Sequence, residues 1–247
     1  MQKENIRIVA FDLDGTLTQH KTHLEPFNRA VLDELARRYR LLMVGAGSCR
    51  RIFEQMDRYP IDIIGNYGMQ YAVYDAASRD LRMEENHAVP IDRTSVSQRV
   101  TALREAFGFT DYRGENVEFH ESGAFTFPIL GTAARQEDKL AFDPDRAKRR
   151  SIYAQVCAAF PEYNVFVGGS SSFDAAPKPY DKLYALRRYC ESHGLTLENA
   201  AFVGDDYGLG GNDESVFRAG VPFVCVDDYT RLREAAAFLL KLSLIHI

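Results

Sequence analysis

The chain has 247 residues, 46% hydrophobic and 26% charged, enough to bury a full core in one large domain or two small ones. A formal charge of -5 gives no basic field for nucleic acid or an anionic membrane, so a phosphate-bearing ligand must be held by a local site. Cys49, Cys157, Cys190 and Cys225 lie far apart with neither zinc nor disulfide spacing, which predicts buried thiols in a reducing compartment. No apolar run approaches membrane-spanning length, and Met1-Gln2-Lys3-Glu4-Asn5 leads straight into a strand pattern; a cytoplasmic protein without a signal peptide is expected.

The apolar run 6–11 predicts a buried strand of a parallel sheet, and it stops at Asp12-Leu13-Asp14-Gly15-Thr16. Open α/β sheets place ligands beyond the carboxyl ends of their strands. Asp12 is therefore a candidate nucleophile or metal ligand, with Asp14 near enough to exchange protons with whatever Asp12 attacks. Gly15 permits a sharp turn, and Thr16 offers a hydroxyl and an amide to an anion. Residues 26–40 predict an amphipathic helix with Phe27, Val31, Leu32 and Leu35 on one face. A strand at 41–44 ends in Gly45-Ala46-Gly47-Ser48 and is followed by a helix carrying Ile52, Phe53 and Met56, an arrangement suited to an anion. It is not a dinucleotide fingerprint, because Arg50 stands where the third glycine belongs. A third strand at 61–64 precedes Gly65-Asn66-Tyr67-Gly68 and a hairpin through 69–74.

From 80 to 90 the pattern turns polar, and the next hundred or so residues differ in kind. Residues 91–107 predict a helix, 117–129 alternate as antiparallel strands, and 143–160 predict a helix with Pro144 at its start. Short strands at 164–167 and 172–175 flank Gly168-Gly169. From Tyr180 the α/β rhythm returns, with a helix at 183–193 closed by Gly194 and a strand at 200–203 ending in Gly204-Asp205-Asp206. A strand at 223–226 and a helix at 231–242 complete it; the tail 243–247 has no assignment. The expected fold class is α/β: a Rossmann-like core with a parallel sheet, from 1–85 and 183–247, enclosing an α+β domain at 86–182. Asp12, Asp14, Ser48 and Asp205 then share one edge of the sheet, with Lys182 at the start of the returning helix. Carboxylates and a lysine around a small-residue loop suit phosphoryl transfer. Asp12 and Asp205, with the Asp14 backbone carbonyl, match the few hard oxygens that magnesium takes from protein. Metal and lysine together would offset the repulsion between an anionic nucleophile and a phosphate.

Phe11-Asp12-Leu13-Asp14-Gly15-Thr16-Leu17-Thr18 resembles the first motif of the haloacid dehalogenase (HAD) superfamily. Val203-Gly204-Asp205-Asp206 with Gly210-Gly211-Asn212-Asp213 resembles its fourth. The insert after the third strand resembles a C2-type cap. Gly168-Gly169-Ser170-Ser171-Ser172-Phe173-Asp174 and Pro179-Tyr180-Asp181-Lys182 look like the eukaryotic-type phosphomannomutase branch. The resemblance implies that Asp12 attacks phosphorus to give an aspartyl-phosphate, and that Asp14 protonates the leaving sugar oxygen and later activates the acceptor. It implies that Ser48, the backbone around Gly47, and Lys182 hold the phosphate, and that Asp205 binds Mg2+ with Asn212 and Asp213 in support. Lys21 stands where the mutases carry an arginine. Ser172 and Asp174 match cap positions that contact sugar hydroxyls, and Arg149 or Arg150 matches a cap arginine that grips a phosphate.

Three departures bear on the reaction. Pro128-Ile129-Leu130-Gly131 leads into Thr132 where the mutases have an arginine, Lys139 replaces a second cap arginine, and Arg50 and Arg51 follow Ser48 in place of an acidic residue. A mutase must grip a bisphosphate by its far phosphate, a task for bidentate arginines. The expectation is therefore a magnesium-dependent phosphatase acting on a small phosphorylated sugar or polyol. A hexose phosphate mutase and a non-catalytic sugar-phosphate sensor are the alternatives. The branch often pairs through its caps, which leaves a homodimer open.

Overall fold

The computed structural model describes residues 5–20 and 22–241. Lys21 and the tail 243–247 lie outside the described residues. The chain forms two compact units. The first comprises the described residues of Met1–Asn86, Lys182–Tyr207 and Asp213–Ile247; the second comprises His87–Asp181 and Gly208–Asn212.

In the first unit the strands are β1 (Ile8–Phe11), β2 (Arg40–Val44), β3 (Asp62–Gly65), β4 (Gln70–Asp75), β5 (Asp80–Asn86), β10 (Ala200–Gly204) and β11 (Phe223–Cys225). They form one sheet in the order β11-β10-β1-β2-β3-β4-β5, parallel from β11 to β3 and antiparallel beyond. β1 is apolar at every position because both faces are covered. Val9 and Phe11 meet Val31, Leu32 and Leu35 of α1 (Pro26–Leu35) and Ile52 and Phe53 of α2 (Cys49–Gln55). Ile8 and Ala10 share a second cluster with Ala185, Leu186 and Tyr189 of α6 (Lys182–Ser192) and Val216 of α7 (Glu214–Arg218). The mixed α/β class with a mainly parallel sheet is as expected.

Local departures have physical causes. Phe27 is exposed, and the inner position of α1 is taken by Asn28, whose amide donates to Leu17 O and Tyr229 O at 2.9 Å each. The polar stretch at 80–86 is a strand; its charges suit the solvent side of a sheet edge. The expected helix 231–242 is two short ones, α8 (Leu232–Ala235) and α9 (Ala237–Leu240). Cys49 and Cys190 are buried, Cys157 half-buried and Cys225 exposed, so the cysteines are not uniformly buried. Among the described residues no helix is long and apolar enough to cross a membrane.

The second unit carries an antiparallel sheet in the order β6 (Glu118–Phe119), β7 (Phe125–Pro128), β9 (Ser172–Pro177), β8 (Tyr163–Phe166). Alternation sends Phe125, Phe127, Phe173 and Ala175 into a core with Val96, Val100 and Leu103 of α3 (Arg93–Phe107) and Ile152 and Val156 of α5 (Ala147–Ala159). Thr126, Ser172 and Asp174 take the opposite face. α5 starts later than the sequence predicts: Arg146, with φ +60°, stands just before it, and the Asp143 carboxylate accepts from the first-turn amides Lys148 N at 2.9 Å and Arg149 N at 3.0 Å. A short helix, α4 (Gln136–Phe142), precedes it and was not expected. Gly208–Asn212 groups with this unit rather than with the strands that flank it: Val167 N donates to Gly210 O at 2.7 Å and Arg150 Nε to Leu209 O at 3.2 Å.

Candidate active site

β1 runs out at Asp12, whose N–H still donates to Val203 O at 2.9 Å. The chain then closes a tight loop: Leu17 N and Thr18 N donate to Leu13 O, and Gly15 N to Thr18 O at 2.8 Å. Gly15 has φ +95°, and a Cβ there would lie 2.5 Å from Asp205 Oδ2, so only glycine fits. Thr16 Oγ1 donates to Asp205 Oδ1 at 3.1 Å from a fully buried position. That corrects the expectation for Thr16, whose hydroxyl addresses a carboxylate of the protein rather than a bound anion.

Lys182, the first residue of α6, is fully buried and places Nζ 2.6 Å from Asp12 Oδ1 and 2.7 Å from Asp213 Oδ1. Asp213 Oδ2 accepts from Asp206 N at 3.1 Å, tying this lysine to the loop after β10. Asp12, Asp205 and Asp213 each bring an oxygen within 4.8 Å of the others. Burial pushes the Asp12 carboxyl up to about 6, Lys182 opposing and Asp213 adding to the rise. Burial, then the Asp12 and Asp213 charges, push Asp205 up to about 8. Burial pulls the Lys182 ammonium down, but the two carboxylates prevail and hold it above the ordinary lysine range. Three carboxylates facing one ammonium leave an excess of negative charge on hard oxygens, a donor set that fits a divalent cation such as magnesium. The Asp14 carboxylate is not in this set, and Asn212 groups with the second unit.

Asp14 instead faces α2. Gln55 Nε2 donates to Asp14 Oδ1 at 2.7 Å, Arg51 Nη1 lies 3.5 Å from Asp14 Oδ2, and His20 Nδ1 lies 4.0 Å from Oδ1. Gln55 and His20 match no motif, and Arg51 enters the sequence reading only as a basic residue where the second motif is acidic. The signal available is that positions 51 and 55, one turn apart in a helix begun at Ser48, share a face. Ser48 Oγ accepts from Arg51 N at 3.3 Å, Cys49 N donates to Gln70 Oε1 at 3.0 Å, and Gly47 O accepts from Asn66 N at 2.8 Å. Gly47 and Ser48 follow β2, which pairs in parallel with β1, and the start of α2 is capped from within the protein. Burial also drives the Cys49 thiol up to about 12, so it is inert at neutral pH.

In the second unit Asp174 accepts from Thr126 Oγ1 at 2.8 Å, and His120 Nε2 lies 3.1 Å from that hydroxyl. Burial raises the Asp174 carboxyl above its usual range. Ser172 Oγ donates to Gly168 O at 3.1 Å. Arg149 is a correction. Its guanidinium is buried against Asp143 at 2.8 Å and donates to Gly168 O at 2.6 Å and to Gly169 O and Ser172 O at 3.1 Å. It holds the 168–172 turn rather than reaching out for a phosphate. Lys139 Nζ donates to Thr132 O at 3.1 Å, so the two positions at which the sequence departs from the mutase pattern bind each other.

The family model for eukaryotic phosphomannomutase matches residues 102–224. A probable phosphomannomutase of Caenorhabditis elegans is 26% identical over 225 residues, covering 85% of each chain. A phosphomannomutase of Spinacia oleracea is 27% identical over 225 residues, covering 85% of this chain and 86% of that one. Among solved structures, a HAD-superfamily phosphatase of Bacteroides thetaiotaomicron superposes with a TM-score of 0.62 at 14% identity, covering 95% of both chains. The IMP-nucleotidase of Plasmodium falciparum superposes at 0.67 with 14% identity, covering 98% of this chain and 72% of that one. These structural likenesses speak to the fold.

Proposed function

This chain is a phosphomannomutase-like member of the HAD superfamily, and we propose that it is a magnesium-dependent phosphatase of a small phosphorylated sugar or polyol, working through an aspartyl-phosphate. The observation that carries the proposal is the Asp12 carboxylate, buried at the end of the central strand, 2.6 Å from the Lys182 ammonium and grouped with Asp205 and Asp213. A nucleophile must be ionised in a place where burial opposes ionisation, and Lys182 supplies the opposing charge. Asp12 attacks phosphorus as the ester oxygen leaves with a proton from Asp14. Asp14 then takes a proton from the water that hydrolyses the acyl phosphate. Asp12 and Asp205 would hold magnesium, with Asp213 and Asn212 in support, and the bound ion supplies neutralisation of charge on the phosphoryl oxygens. Lys21, Ser48 and the Gly47 backbone are proposed phosphate contacts, Ser172 and Asp174 proposed sugar contacts, and Arg150 a proposed cap cation. A cytoplasmic location and pairing through the cap belong to the same proposal.

The names of the relatives favour a hexose phosphate mutase, the second hypothesis. Thr132 and Lys139 support hydrolysis, because neither gives the bidentate grip that a turning bisphosphate needs. The test is inorganic phosphate release from a panel of sugar monophosphates, with magnesium and with EDTA. Magnesium-dependent release is expected. Interconversion of hexose phosphates that needs a bisphosphate and conserves phosphate would establish the mutase instead, and neither activity would leave a binding protein.

A further inference from the structure

The geometry points to Gln55 as a positioning residue for the Asp14 carboxyl, with Arg51 deciding which end of the Gln55 amide faces it. The inference rests on the phosphoryl-transfer proposal and adds to it residues that no motif assigned. Arg51 Nη1 lies 3.0 Å from Gln55 Oε1. A guanidinium only donates, so the amide atom facing it must be the oxygen. The other end is then the NH2, and it meets two acceptors, Asp14 Oδ1 at 2.7 Å and Thr18 Oγ1 at 3.1 Å. Gln55 is buried, so a reversed amide would set its oxygen against a carboxylate and its NH2 against a cation, with no solvent to relieve either clash.

Arg51 is itself held over the loop after β2. A Cβ on Gly47 would fall 2.2 Å from Arg51 Nε and Nη2, so the guanidinium lies where any side chain at 47 would be. Gly47, Arg51, Gln55 and Asp14 thus form one chain of contacts across two loops. It also accounts for a departure from the family pattern, since Arg51 is one of the basic residues standing where an acidic one was expected.

The chemical consequence lies in proton placement. Oδ1 accepts the short bond from Nε2 at 2.7 Å, while Oδ2 has only the longer 3.5 Å approach of Arg51 Nη1, so the transferable proton rides on Oδ2. As the bond from Asp12 to phosphorus forms and the ester P–O bond breaks, the departing oxygen takes that proton with its electron pair. A carboxyl free to rotate would deliver it less often, which matters most when the leaving oxygen is strongly basic.

The test compares Gln55→Met and Arg51→Met with wild type on two phosphate monoesters, an alkyl or sugar phosphate and an aryl phosphate with an acidic leaving group. Gln55→Met should lower kcat on the alkyl ester about 10-fold or more with KM within about twofold, and leave the aryl ester within about twofold. Arg51→Met should show the same split at smaller size. Equal loss on both esters, a change in KM alone, or no change would overturn the inference while leaving the phosphatase standing. Thermal melts check folding. Should Gln55→Met not fold, Arg51→Met, which keeps the Gln55 side chain but removes the cation that orders its amide, must give the split or the inference falls. A wild-type protein inactive on both esters would remove the phosphatase and the inference together.

Discussion

At Asp12 the demands of folding and of chemistry oppose each other. Its carboxylate shares one lysine with Asp213 and lies beside Asp205 where burial disfavours charge. Asp12→Asn keeps the shape and removes one of three like charges. Phosphate release should fall by about 10³-fold or more, since no other group can take up phosphorus. The metal-free variant should melt no lower than wild type near neutral pH, because the charge removed was costly to bury. Phosphate assays and melting curves in EDTA check both halves. Retained turnover would refute the nucleophile, and a large loss of stability would show that the Lys182 pair outweighs the crowding. Lys182 invites the opposite expectation, because its removal would leave Asp12 and Asp213 buried without a counter-charge.

The elements that bear the site were legible where burial leaves a one-dimensional trace. β1 reads from its apolar run and the two aspartates that end it, and β10 likewise from Gly204-Asp205. Edge strand β5 was lost because its side chains, Arg82, Glu84 and Glu85 among them, carry no hydrophobic period. Gln55 was lost for a different reason: its partner is 41 residues away, and only the docking of α2 on the sheet brings them together. Arg149 shows the converse, a residue whose charge and place suggested a ligand but whose surroundings make it a strut. Arg149→Met should therefore destabilise the second unit by about 3–5 kcal/mol through the stranded Asp143 carboxylate, read by denaturant unfolding. A folded variant of unchanged stability but raised KM would return Arg149 to the substrate.

For the molecule as a whole, the acidic balance of -5 includes three aspartates gathered in one cluster, Asp12 and Asp213 buried and Asp205 half-buried, and pH should report on them. Asp12 and Asp205 are raised from 3.8 to about 6 and about 8, so between those values and the unfolded one the folded chain holds protons that the unfolded chain has released. Their contribution to stability is therefore greatest at low pH and is lost as pH rises through about 6 and then about 8. Asp143 and Glu162 are lowered instead, Asp143 by Arg149 against the pull of burial and Glu162 first by its bond from Arg99, and their contribution is lost as pH falls below about 4. The metal-free protein should be most stable near about pH 4, with a melting temperature that declines toward about pH 8. Magnesium needs the same oxygens deprotonated, so its stabilising increment should grow over that range and be small at about pH 5. Melting curves in EDTA and in saturating magnesium across these pH values test the relation, with Asp205→Asn expected to flatten both trends. An increment independent of pH would mean that the cation, if bound, is held elsewhere than at Asp12 and Asp205.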